Sequence, residues 1–231
     1  MLGAKRYKKE LQNLGADLCG IASIDRFNDA PIGFHPQDVL PACKSVIVFG
    51  KRFPAGTLHC KTNIPYTIAR NILTSTLDTM AVEFCSRMEQ EGIAAIPTAA
   101  ASYTQYDPNT HRWRGMVSTK HAAQAAGLGR IGRNSLLVTP EYGNMVWLST
   151  ILTDAELEPD PVLPGSPCAD TCTICIDNCP VNALGGAAVD QAACYPHSYR
   201  INEQGALEIH CHNCRTRCPH CLGSENQQMR R

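Results

Sequence analysis

The residues best suited to chemistry lie between Cys168 and Cys221, a stretch that holds nine of the chain's 13 cysteines. Within it the pattern C-x2-C-x3-C-P occurs twice, at Cys172, Cys175, Cys179 and Pro180 and again at Cys211, Cys214, Cys218 and Pro219. Each copy has one further cysteine upstream, Cys168 for the first and Cys194 for the second, and Cys221 is left over. Four plus four thiolates in this order suit two [4Fe–4S] clusters, because in paired runs of this kind the cysteine before the proline ligates the other cluster. The expected ligand sets are Cys168, Cys172, Cys175 and Cys218 on one cluster, and Cys179, Cys194, Cys211 and Cys214 on the second. The first run carries one residue more than usual between Cys168 and Cys172, which the loop must absorb. Cys221 is expected to be dispensable.

Zinc is the rival reading. Structural zinc sites also use C-x2-C pairs, and His210, His212 and His220 lie close by. Zinc does not account for the repeated Cys-Pro or for the interleaved count. A disulfide framework fits less well, since the chain shows no secretory pattern and such spacing in a cytosolic protein points to metal or redox chemistry. A cytoplasmic location is therefore expected.

The chain has 231 residues, enough for one substantial core with a small module beside it. Net formal charge is zero, whereas dedicated nucleic-acid binders show a basic excess. The basic run at 5–9 reads as the solvated face of a first helix. No apolar run is long enough to span a bilayer.

The elements that must position the cysteines come before them. Residues 4–15 pattern as an amphipathic helix and 17–23 as a strand; 26–42, with Pro31, Gly33, Pro36 and Pro41, reads as loop. The clearest buried strand is 45–53. A long helix follows at 66–91, with Ile68, Ile72, Leu77, Met80, Ala81 and Phe84 on its apolar positions, and then a short strand at 93–96. Residues 120–126 read as a helix, and 136–139 and 145–152 as strands. Four prolines and a glycine in 157–167 mark a linker. The expected architecture is α+β, with an α/β cofactor-binding domain over 1–160 and a ferredoxin-like module over 161–231. Cys19, Cys43, Cys60 and Cys85 read as small buried hydrophobes.

Two segments of the first domain stand out. Residues 103–114 crowd Tyr103, Tyr106, Asp107, His111 and Trp113 into a loop without periodicity, the kind that lines a site or caps an edge. Gly127, Gly129 and Gly132 match G-x-G-x-x-G formally, but a dinucleotide fingerprint needs a strand before the glycines and a helix after them. Here the order is helix, then strand. The glycines either stop a helix or let bare backbone approach something large.

The segment KHAAQAAGLGRIGRNSLLVTPEYG, residues 120–143, followed by the double cysteine run, resembles the epoxyqueuosine reductase family and, more distantly, the reductive dehalogenases. The resemblance runs over nearly the whole chain. It implies a nitroreductase-like first domain carrying cobalamin, with clusters that feed it electrons. A corrinoid would then lie against Lys120, His121, Gly127, Leu128, Gly129, Gly132, Asn134 and Ser135, and a flavin is the alternative occupant. The implied protein is an oxidoreductase that takes electrons from reduced ferredoxin or flavodoxin and reduces a small-molecule substrate. The alternative is an electron carrier or cobalamin-handling protein without turnover. A homodimer is left open. Proton donors would come from Tyr106, Asp107 and His111, or from Tyr142, since dehalogenases use a tyrosine as acid. The chain departs from the family where epoxyqueuosine reductases carry an aspartate acid: a gapless count from Gly127 reaches Trp113, and Lys120 replaces a familiar arginine. The chain also ends soon after the clusters, so tRNA is not expected as its substrate.

Overall fold

The computed structural model describes residues 2–101, 105–107, 112–186, 188–203 and 205–224. In chain order the elements are α1 (Leu2–Asn13), β1 (Leu18–Ser23), α2 (Pro36–Val39), β2 (Ser45–Arg52), α3 (Ile64–Gln90), β3 (Ala95–Thr98), β4 (Gln105–Asp107), β5 (Arg112–Arg114) and α4 (Thr119–Ala125). They continue with β6 (Arg130–Ile131), β7 (Leu137–Val138), β8 (Val146–Thr153), α5 (Ile174–Asp177), α6 (Gln191–Ser198), β9 (Tyr199–Ile201), β10 (Leu207–Ile209) and α7 (Asn213–Thr216).

The centre is a four-stranded sheet in the order β1-β2-β8-β3, antiparallel throughout. Strand periodicity sends alternate side chains to opposite faces. Ile21, Ile47, Phe49 and Ile151 therefore point to one face, where Leu11 of α1 and Leu77, Phe84 and Met88 of α3 cover them. Ala22, Val46, Val48 and Leu152 point to the other and meet Ala122, Ala123 and Ala126 at α4. The alanines keep α4 close to the sheet. The result is an α+β sandwich, helix on sheet on helix.

Several expectations change at this level. Ile68 and Ile72 of α3 are 52% and 59% exposed, whereas Leu77 and Met80 pack against the sheet and Leu73 packs with Phe53 and Tyr66. Cys60 is exposed and not a core residue, whereas Cys43 and Cys85 are buried. Residues 105–107 and 112–114 are not loop but pair as a short hairpin. The proline-rich segment is irregular but tied down. Leu157 is buried, and its N–H donates to Ser45 Oγ. Asp160 exchanges backbone and carboxylate hydrogen bonds with Ile21 and pairs with Lys8. This covers the free edge of β1, which would otherwise present unpaired backbone groups.

Beyond it the chain folds into short helices and one hairpin, β9–β10. This portion shares a core with the first: Phe53, Tyr66 and Met145 pack with Ile209, Cys221 and Leu222. Cys221 is thus a packing residue.

Candidate functional site

The turns around α5, α6 and α7 bring the thiols together in two groups. Burial pushes the Cys175 thiol up, and Cys218, Cys168 and Cys172 around it push it further by like charge. Burial also raises Cys194; Ser198 opposes this through a hydrogen bond, and Cys179 and Cys211 add to it. Cys214 is pushed up to about 11 by burial, with Arg215 acting the other way and Cys194, Cys211 and Cys179 reinforcing. Each group takes one member from the other run, as an interleaved pair requires. Thiols that ionise reluctantly beside one another are stabilised as thiolates when metal binds them. Among the described residues no three His, Cys, Asp or Glu side chains gather closely enough for a single metal ion. Eight thiols grouped four and four are, by their chemistry, the donor set that two [4Fe–4S] clusters use.

Hydrogen bonds reach sulfurs of both groups. Arg133 N donates to Cys168 Sγ at 3.4 Å and Ala183 N to Cys179 Sγ at 3.2 Å, while Cys194 Sγ and Ser198 Oγ lie 3.3 Å apart. Bonds of this kind tune cluster potentials.

The segment after β6 joins both cysteine loops to the sheet domain. The Arg133 guanidinium donates to the carbonyls of Cys172 and Asp170 at 2.9 and 2.7 Å. Asn134 Nδ2 donates to Cys214 O at 3.1 Å. Spacing rules did not single out Arg133, since a lone arginine after a glycine carries no signal of what it will reach. Arg133→Ala should speed iron loss from the Cys168 group several-fold in a chelator challenge and leave the other group unchanged. Equal rates for both groups would remove Arg133 from this role.

A cavity of about 1100 Å³ is lined by residues of both the sheet portion and the cysteine-bearing portion. Lys120, His121, Asn134 and Ser135 line one side. Cys179, Cys194, Cys211 and Cys214 line another, and Trp113, Tyr195 and Tyr199 a third. The Cys168 group does not reach it. The wall carries Arg26, Arg70, Arg114, Lys120 and Arg215 but only one carboxylate among the described residues, Asp29. These five cations share the wall with the four thiols. Lys120 Nζ donates to Ser135 Oγ at 2.5 Å and to Ser135 O at 3.0 Å. Ser135 adopts φ 61°, a conformation non-glycine residues rarely hold. Burial lowers the Lys120 pKa. It also lowers that of His121, with the Lys120 charge adding.

The glycines do not line the cavity. Gly127 has φ +73°, and a Cβ there would fall 2.2 Å from Pro161 O. A Cβ on Gly129 would lie 2.4 Å from Val138 O, and one on Gly132 2.9 Å from Asn134 Oδ1. Their bare backbone approaches the chain itself, and Leu128 packs against the α4 side of the sheet. The expected proton donors are also set apart. Tyr106 lies tilted against Trp113 with ring centroids 4.7 Å apart, but neither it nor Asp107 lines the cavity. Trp113 does, at 39% exposed. His111 and Tyr103 lie outside the described residues. Tyr142 sits in the turn closed by Thr139 and Gly143, away from the cavity wall. Of the titratable groups that do line it, Lys120 and His121 are the expected cofactor contacts, while Tyr195, His197 and Tyr199 carry no expectation.

No protein-family model matches the chain. It is 34% identical to an epoxyqueuosine reductase of Staphylococcus aureus over 125 residues, 49% of this chain and 32% of that protein. It is 38% identical to that of Gloeobacter violaceus over 125 residues, 48% of this chain and 38% of that protein. The matched stretch thus spans about a third of these relatives' length. Among solved structures, epoxyqueuosine reductase from Streptococcus thermophilus superposes with TM-score 0.66 at 17% identity, covering 96% of this chain and 66% of that one. A B12-dependent reductive dehalogenase superposes with TM-score 0.60 at 18% identity, covering 96% and 33%. In sequence the chain is a relative of the epoxyqueuosine reductases, and its fold is one they share with the reductive dehalogenases.

Proposed function

We propose that the protein is an iron–sulfur reductase. The Cys168 group would take electrons from reduced ferredoxin or flavodoxin, and the Cys179 group would deliver them to the cavity. The observation that carries this is which group meets the cavity: Cys179, Cys194, Cys211 and Cys214 line it, and the Cys168 group does not. A carrier without turnover has no need of a large cavity beside its inner cluster.

The occupant we favour is a corrinoid, with flavin as the alternative. Small-ligand pockets run to about 1,000 Å³, so 1100 Å³ has room for a large cofactor. Lys120, His121 and Ser135 on one side and Trp113 and Tyr195 on another would hold it. When bound, the corrinoid supplies the strongly reducing chemistry that side chains lack. The chain's own residues exclude water, orient the substrate and move protons.

Lys120 is the proton donor best placed for this. Trp113 cannot act as an acid, and Ser135 fixes the Lys120 ammonium at the wall. Its lowered pKa makes it a stronger acid than an ordinary lysine. A rate that needs protonated Lys120 holds at low pH and falls as pH rises through this lowered value. Lys120→Met should cut turnover by about 10²–10⁴-fold and abolish that alkaline limb. An unchanged limb would exclude Lys120 as the acid.

The substrate we propose is a small molecule. Epoxyqueuosine in tRNA is the second reading, favoured by the sequence match; one related epoxyqueuosine reductase structure contains a modified tRNA stem loop. The test is anaerobic reconstitution, followed by cobalamin or flavin titration and assays with epoxyqueuosine-bearing tRNA. We expect about eight iron and eight sulfide per chain, corrinoid bands on loading, and no queuosine. Stoichiometric zinc would overturn the iron–sulfur reading, flavin uptake alone the corrinoid one, and queuosine formation the choice of substrate.

A further inference from the structure

Arg215 carries a buried charge whose side chain hydrogen-bonds to Tyr66 but meets no carboxylate among the described residues. It is 6% exposed, and its Nη1 is sealed from solvent without a hydrogen-bond partner. Its guanidinium lies 6.0 Å from the centre of the Trp147 ring, and that of Arg70 lies 5.7 Å from the same ring. Arg70 Nε and His212 Nδ1 are sealed without partners in the same way. Among the described residues no carboxylate pairs with Arg215 or Arg70. Buried cations of this kind are costly unless something supplies the opposite charge.

Arg215 directly follows Cys214 in α7, beside the thiols that face the cavity. A cubane held by four thiolates is net negative, and reduction adds one further negative charge. A cation close by in a poorly screened interior favours the reduced form. Among the described residues the Cys168 group has no buried equivalent, since Arg217, which precedes Cys218, is exposed. Arg133, which bonds its loop, is exposed, and water screens it.

We propose that Arg215 is the internal counter-ion of the cluster held by Cys179, Cys194, Cys211 and Cys214, raising its potential so that electrons run from the Cys168 cluster toward the cavity. The proposal rests on the iron–sulfur reading above. The one-electron step is simple: an external low-potential donor is oxidised, the cluster is reduced, and no bond to Arg215 forms or breaks.

The test is an anaerobic redox titration followed by electron paramagnetic resonance, with dithionite as reductant. Arg215→Gln should lower one cluster's reduction equilibrium about tenfold, or 59 mV for one electron, and leave the other unmoved. Arg215→Lys should retain most of the wild-type value. Signals are assigned with Cys175→Ala, which should keep only the cavity-side cluster. Should Arg215→Gln fail to fold, the wild-type titration still decides, because the cavity-side cluster must have the higher potential of the two. Equal or reversed potentials, or an unmoved midpoint in fully loaded Arg215→Gln, would overturn the proposal while iron and sulfide counts still upheld the clusters. A wild type that takes up no iron and sulfide would remove both.

Discussion

Cys179→Ala should cost the protein its cavity-side cluster and leave the other intact, so that iron falls from about eight to about four per chain. The effect is large because a missing thiolate exposes an iron, and it is informative because the ligand sets cross. Cys179 belongs by sequence to the first run, yet its thiol stands with Cys194, Cys211 and Cys214. Cys218 belongs to the second run and stands with Cys175. The paramagnetic spectrum left by Cys179→Ala should therefore match that left by Cys211→Ala. The spectrum left by Cys218→Ala should match that of Cys172→Ala. Clusters assembled run by run would give the opposite matches. Cys221→Ser should keep full iron and lose only stability, since its thiol fills the shared core.

The second large effect is on folding. Gly129→Val should leave little soluble protein, whatever the cofactor content. Even a single methyl at this position would lie 2.4 Å from Val138 O and 2.9 Å from its carbonyl carbon. Backbone on both sides must then move apart, opening the β6–β7 pairing of Arg130 with Val138. Forced overpacking costs about 1–3 kcal/mol for Gly129→Ala. At about 2–4 °C per kcal/mol in a chain of this size, its melting temperature should drop by roughly 2–12 °C. Gly56→Ala, with nothing within 4 Å, is the control and should melt near wild type. A soluble Gly129→Val with normal melting and no cobalamin binding would return the glycine to the cofactor site.

The ligand grouping can be proposed from the sequence because it depends on spacing within two short runs and on the geometry a cluster imposes. The strand 45–52 was legible for a similar reason: an unbroken apolar run has few places to go but a sheet covered on both faces. The glycines left two readings open because what matters is the partner that approaches them. For Gly127 that is Pro161, more than thirty residues away, which no local pattern reveals. Ile68 and Ile72 fit helical periodicity as well as Leu73 and Leu77 do, and only the packed core decides which stripe turns inward. Arg133, Lys120 and Arg215 could not be ranked beforehand. Their roles follow from burial and from carbonyls or rings supplied by distant segments.

The glycines at 143 and 223 have one last consequence. A Cβ on Gly143 would strike His220 O and Cys221 O, and one on Gly223 would strike the backbone of Glu141. The two strings of chain are threaded against each other without side chains between them, and Asn144 N donates to the carbonyls of both His220 and Cys221. The cysteine-bearing portion is therefore not a portable cassette. Cut free at the prolines, it would bare Ile209, Cys221 and Leu222 to water and lose the surface that shapes its second loop. Transplanted to another host, it would need the 139–145 turn to travel with it. Recombination between relatives should be tolerated only where both halves of this clasp come from the same parent.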